Sequence, residues 1–175
     1  AGGDRISIAA EVSDHAELSL TSQSAERAYR TLGPAASVAV SLRAGKSSSL
    51  FWLPQETILF EGSAVSRRLD VSLAHGTTFL AVEPLVFGRH EMGERVKHVS
   101  VRDRWHIMQE GKLIHAEAFQ TGPAFTQSPA RLAGNLATAT VLLVSAQAES
   151  CIDRVRAALG PDDGASAWNG KLVAR

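Results

Sequence analysis

Two carboxylates bracket the segment EPLVFGRHEMGE, Glu83 to Glu94, with Arg89 and His90 between them. A pair of acids is the usual minimum for hydrolysing a glycosidic bond. One protonates the leaving oxygen, and the other acts as base or nucleophile. The same groups could pass a divalent cation, because isolated oxygen ligands hold such an ion weakly and release it. A third role is structural. Arg89 can grip either carboxylate with two parallel N–H···O bonds, and Gly88 and Gly93 permit the backbone turns of a tight loop. Residue types alone leave all three open.

A second constellation is His106 and His115 in the stretch VKHVSVRDRWHIMQEGKLIHAEAF. Glu110-Gly111 reads as a two-residue hairpin turn. That register sets Trp105 opposite Ala116 and Ile107 opposite Ile114 on an apolar face. Arg104 then faces Glu117, and His106 faces His115, on the other. Opposite Cβ atoms lie about 5 Å apart, so two imidazoles could share one divalent metal in an open site that needs further ligands. The plainer reading is a polar sheet face. His15, His75 and His90 fall in turns or loops and His98 on a polar strand face, none with a ligand-type neighbour at useful spacing.

Other chemistries lack their motifs. No G-x-S-x-G occurs, and RAGKSS, Arg43 to Ser48, lacks the first glycine of a phosphate-binding loop. Cys151 sits at the start of a helical stretch, where a thiol pKa can fall, but a small residue packed on a sheet is the simpler role. A lone cysteine excludes an internal disulfide framework and suits a reducing, cytoplasmic setting. Lys plus Arg equals Asp plus Glu at 18 each, so no net charge draws the chain to nucleic acid or an anionic membrane. The apolar run LFWLPQETILF is too short to span a bilayer and is interrupted by Pro54, Gln55 and Glu56.

The elements that must position these residues are strands. RISIAAEV, SVAVSL and RLDVSL alternate with period two, and each leads through a short polar turn to a second strand: LSLTSQ, LFWLPQ and FLAVEP. The units align at a spacing of about 30 residues. Leu18, Leu50 and Phe79 fall at one position, Thr21, Leu53 and Val82 at another, and Gln23, Gln55 and Pro84 at a third. Such units cannot bury their apolar faces alone and stack; the expectation is a mainly β, layered, β-solenoid-like (β-helical) assembly, with an ordinary sandwich as the alternative. Glu83 then closes a strand that Pro84 ends. Near the C-terminal side, SCIDRVRAALGP reads as a helix. Ser150 is its N-cap, Asp153 the capping-box partner, Ile152, Val155 and Leu159 its apolar stripe, and Gly160-Pro161 its stop. ATATVLLVS before it reads as a buried strand, and Asn169-Gly170 as a hairpin turn.

Four motifs occur here in an order that resembles the urease accessory protein UreD family, also called UreH. They are GGD at Gly2 to Asp4, TSQSAERAY at Thr21 to Tyr29, WLPQETILF at Trp52 to Phe60, and EPLVFGRHEMGE. Arg27 stands where the family commonly has lysine, and Val82 where an aromatic often precedes the E-P pair. The resemblance covers residues 1–175 as a single UreD-type domain. It implies a β-solenoid with one or two helices on the C-terminal side, and a chain that is a fragment lacking N-terminal strands and a C-terminal segment. It further implies a non-catalytic partner of apo-urease and of other accessory proteins, a GTPase among them, that helps deliver nickel to the urease metallocentre through an internal passage. Nickel would be transient, with no tightly bound cofactor, no nucleic acid and no membrane. Glu83, His106 and His115 are the candidates for the nickel path. Gly2, Gly3, Asp4, Gln23, Arg27, Tyr29, Trp52, Pro54, Gln55, Pro84, Gly88, Arg89, Gly93 and Glu94 are candidates for structural or partner-binding roles. The alternative is a polysaccharide-acting β-solenoid enzyme with Glu83 and Glu94 as acid and base.

Overall fold

The computed structural model describes residues 2–121, 125, 132 and 134–175. Strands β1 (Arg5–Val12), β2 (Glu17–Leu20) and β3 (Glu26–Ala28) form a first coil, and β4 (Ala36–Ala44), β5 (Ser49–Trp52) and β6 (Thr57–Leu59) a second. A third is made by β7 (Ala64–Leu73) and the long β8 (Thr78–Phe87). Equivalent strands stack in parallel, giving a β-solenoid of about three turns. Leu18 pairs with Leu50 and Leu50 with Phe79, the positions that the sequence repeat aligns.

The corners stack as well as the strands. His15, Ser47 and Gly76 occupy equivalent turns, each in the left-handed region with φ of 57°, 51° and 71°. Such a conformation costs a non-glycine residue on the order of 1–3 kcal/mol. The ladder that continues through the corners offsets it: the His15 N–H donates to the Lys46 carbonyl at 2.9 Å and the Ser47 N–H to the His75 carbonyl at 3.0 Å.

Strand β9 (Ser100–Gln109) adds to β7 in parallel, and β10 (Lys112–Gln120) returns antiparallel beside it. The first sheet therefore runs β1-β4-β7-β9-β10. The second is extended by β11 (Ala137–Val144), antiparallel to β8, and by the hairpin β12 (Ala165–Trp168) and β13 (Lys171–Ala174), giving the order β12-β13-β11-β8-β5-β2. Leu42, Leu50, Leu69, Phe79, Ile107 and Leu142, each at most 1% exposed, fill the space between the sheets.

Helix α1 (Ile152–Ala158) closes the outer face of the second sheet, with Ile152, Val155 and Leu159 against Leu172 and Ala174. Its start differs from the sequence expectation. A 3-10 turn, Glu149–Cys151, runs into the helix, so Cys151 takes the cap position without a side-chain bond. The Ser150 hydroxyl instead donates back to the Gln147 carbonyl at 2.8 Å. Among the described residues no helix is long and apolar enough to cross a membrane.

Strand β8 also corrects an expectation: it does not stop at Glu83 but runs on through Pro84 to Phe87. On one side β8 pairs with β5 up to Ala81 and with β6 from Leu85. The gap between those two partners is where Pro84 sits, so the N–H it lacks is not required by a neighbour there.

Candidate functional site

The alternation that builds the core also carries charges into it. On β7 the inward residues include Val65, Leu69 and Val71, and Arg67 shares their parity. On β9 they include Val101, Trp105 and Ile107, and Asp103, the cross-strand partner of Arg67, shares theirs. From the opposite sheet β8 contributes Ala81, Leu85 and, between them, Glu83. Glu83 is 5% exposed and Asp103 8%.

The three groups interlock. The Arg67 guanidinium forms an ion pair with Glu83 Oε2, and its Nη2 lies 3.8 Å from Asp103 Oδ2. Its Nη1 reaches Thr57 Oγ1 at 3.5 Å. Trp52 Nε1 donates to the other Glu83 oxygen at 2.6 Å. Buried charges are costly unless paired and hydrogen-bonded. Asp103 Oδ1 is buried with no hydrogen-bond partner, and one cation serves two carboxylates.

Glu83 and Asp103 border two small cavities. One, of about 50 Å³, is also lined by Arg67, Glu26, Ser22 and Gln55 and leads towards the corner formed by the TSQ and LPQ segments. The other, of about 10 Å³, adds Glu117, Thr138 and Thr140. Beyond it Glu117 is ion-paired with Arg175, which also donates to Thr140 Oγ1 at 3.1 Å. Burial lowers the Arg175 pKa, and the nearby Asp103 charge opposes that shift. The result is a row of carboxylates between the sheets, each held by an arginine.

The hairpin brings His115 to this row but not His106. The turn at Glu110-Gly111 forms as the sequence suggests, and Leu113 pairs with Met108. Ile114 then bulges, so His115 pairs with Ile107 and Ala116 with His106. A bulge of one residue reverses every facing beyond it. The expected His106–His115 pair, and the Arg104–Glu117 pair with it, is therefore not formed. His115 and Glu117 turn inward, while His106 stays on the outer face with Nδ1 3.3 Å from Asp70 Oδ1. His115 Nε2 is 3.5 Å from Glu117 Oε2 and has no hydrogen-bond partner. Burial first, then the positive charges of Lys171 and Arg175, push its pKa below the usual 6.5, which favours the neutral ring. Among the described residues, no three His, Cys, Asp or Glu side chains are grouped so as to hold a metal ion.

Glu83 and Glu94 are engaged by separate partners. Glu94 anchors the loop after β8. It accepts from the Arg89 N–H and from Arg89 Nε, each at 3.0 Å, and from the Glu61 N–H at 3.2 Å. Gly88, with φ 85°, has no room for a Cβ, which would lie 2.9 Å from Val96 Cγ2. Gly93, with φ 73°, closes the following turn. Arg89 lies over the Phe60 ring at 4.6 Å, and Tyr29 meets the same ring edge-on at 5.0 Å. Residues of three of the quoted motifs thus converge on one surface, where Tyr29 is half exposed.

The remaining motif residues brace coil against coil. Gln55 N–H donates to Ser22 Oγ at 2.9 Å beside the exposed Gln23, and Pro54 lines the larger cavity. Arg27 pairs with Ile58 through the parallel β3–β6 ladder. A Cβ on Gly2 would collide with Thr31 Oγ1, Gly3 has φ 82°, and the Asp4 carbonyl accepts from Ser37 N–H at 2.8 Å. Sequence reasoning missed Arg67, Asp103 and Glu117. For the first two the available signal was a charge at the inward parity of a strand; for Glu117 the bulge hid it.

Fold and site together define a short parallel β-solenoid with an ionic row that runs from the buried Glu83 between its sheets to the half-exposed Arg175. A family model described as UreD urease accessory protein matches residues 1–175. The chain belongs to that family. It is 46% identical to the urease accessory protein UreD of Mesorhizobium japonicum and to UreD 1 of Brucella abortus, over 99% of this chain and 65% of each relative. It is 42% identical to that of Rhodopseudomonas palustris, over 100% of this chain and 64% of the relative. The chain spans about 65% of the length of the curated relatives it matches.

Proposed function

We propose that the protein is a non-catalytic scaffold of urease maturation, working in the cytoplasm. In this reading it binds apo-urease and other accessory proteins, a GTPase among them, and passes nickel towards the urease metallocentre. Family membership supports the first part. The observation that carries the second is the position of Glu83, a buried carboxylate bordering two cavities between the sheets. Carboxylates spaced along an interior give a cation oxygen ligands without closing a cage around it. His115, its neutral form favoured beside Glu117, offers a nitrogen ligand further along the same row. His106 would act separately, on the outer face.

The test is Glu83→Gln in the full-length protein, followed by thermal melting, pull-down with apo-urease, and activation of apo-urease with added nickel. Urease binding is expected to persist while activation falls, because the amide loses the charge that attracts the cation. Normal activation by this variant would remove Glu83 from the path.

A further inference from the structure

We propose that Arg67 is a built-in stopper of the carboxylate row, occupying the place between Glu83 and Asp103 that a divalent cation takes only after displacing it. The inference rests on the passage reading of Glu83. Arg67 makes an ion pair with Glu83 and lies 3.8 Å from Asp103, so its guanidinium stands where a cation shared by both carboxylates would stand. The charges make the two occupants exclusive. A dication balances the two carboxylates, whereas a dication added beside Arg67 leaves an unpaired positive charge in a buried site.

Three further features fit displacement rather than a fixed brace. Asp103 Oδ1 is buried, has no hydrogen-bond partner, and belongs to a residue bordering both cavities. The guanidinium therefore leaves unused part of the ligand capacity it sits beside. Trp52 holds the other oxygen of Glu83 at 2.6 Å, so the carboxylate stays in place when the arginine leaves. The cavity of about 50 Å³ that Arg67 borders, and into which it can withdraw, is also lined by Glu26, a second carboxylate able to receive it.

The test uses full-length protein and nickel ion, read by equilibrium dialysis and by thermal melting with nickel or with chelator. Arg67→Gln is expected to gain one nickel site about tenfold tighter than any in the wild type, and to melt lower in chelator but recover with nickel. Arg67→Gln combined with Asp103→Asn is expected to lose both the site and the recovery. Unchanged nickel binding in Arg67→Gln, or a loss of stability that nickel does not restore, would overturn the proposal. If that variant does not fold, Arg67→Lys serves instead. Its compact ammonium cannot grip both carboxylates as a guanidinium does, so tighter nickel binding than wild type is expected, and unchanged binding overturns the proposal. The two readings fail separately. Normal urease activation by Glu83→Gln sinks the passage through Glu83, whereas no gain in Arg67→Gln, with activation still lost in Glu83→Gln, sinks only the stopper.

Discussion

The two acids of the opening motif show how far identical chemistry diverges with placement. Glu83 is enclosed with a tryptophan and an arginine, and Glu94 is a loop anchor that holds two backbone amides. For Glu94 the consequence is a pH dependence. The Arg89 side-chain hydrogen bond, against the opposing effect of burial and with help from the amides of Glu61 and Arg89, lowers its pKa below the usual 4.5. The folded protein therefore binds this proton less readily than the unfolded chain. The stabilisation is fully present above pH 4.5 and is lost as pH falls through the lowered value. Melting temperature measured downward from neutral pH should fall more steeply for wild type than for Glu94→Gln, which starts lower and is flatter. Parallel curves would show that the anchor contributes no proton-linked stability. The place of Glu94 directly after Gly93 and five residues beyond Arg89 was legible in the sequence, and there the structure makes it the anchor of the loop. The interior setting of Glu83 was not, because Pro84 reads locally as a strand end. Only the parity shared by Ala81, Glu83 and Leu85 reveals that the strand continues.

Among the elements, those specified by periodicity or by a turn dipeptide formed as read, whereas the strand bulge and the helix cap, each set by one residue's local geometry, did not. The alternation of Leu69, Val71 and Leu73 and the spacing of Leu18, Leu50 and Phe79 reflect many contacts pulling the same way, so a single irregular residue cannot shift them. The hairpin turn was likewise legible from Glu110-Gly111, yet the bulge at Ile114 has no composition signal and reversed the histidine's face. At α1 the apolar stripe was right and the cap was not, since the preceding 3-10 turn moved the helix start past Ser150. Removing a true serine cap costs typically ~1 kcal/mol. Ser150→Ala is expected to cost less than about half that, because the hydroxyl only returns a bond to the exposed Gln147 carbonyl. Urea denaturation checks this, and a loss of a full cap's worth would restore Ser150 to the capping role.

For the whole molecule the parallel stack has a cost at its first coil. Among the described residues strand β1 pairs only with β4, and Ile6 on it is 44% exposed. An open edge with an apolar side chain recruits further strands. The 175-residue chain is expected to self-associate with rising concentration, and Ile6→Lys to shift light-scattering profiles towards monomer. Identical profiles would mean that the edge is not the adhesive surface. Timing is a different matter. Arg67, Glu83 and Asp103 come from three successive strands and can meet as soon as β9 docks. The partner of Glu117, Arg175, arrives only after the long excursion through β11, α1 and the last hairpin. During synthesis the near half of the ionic row can therefore assemble before Arg175 is available to Glu117.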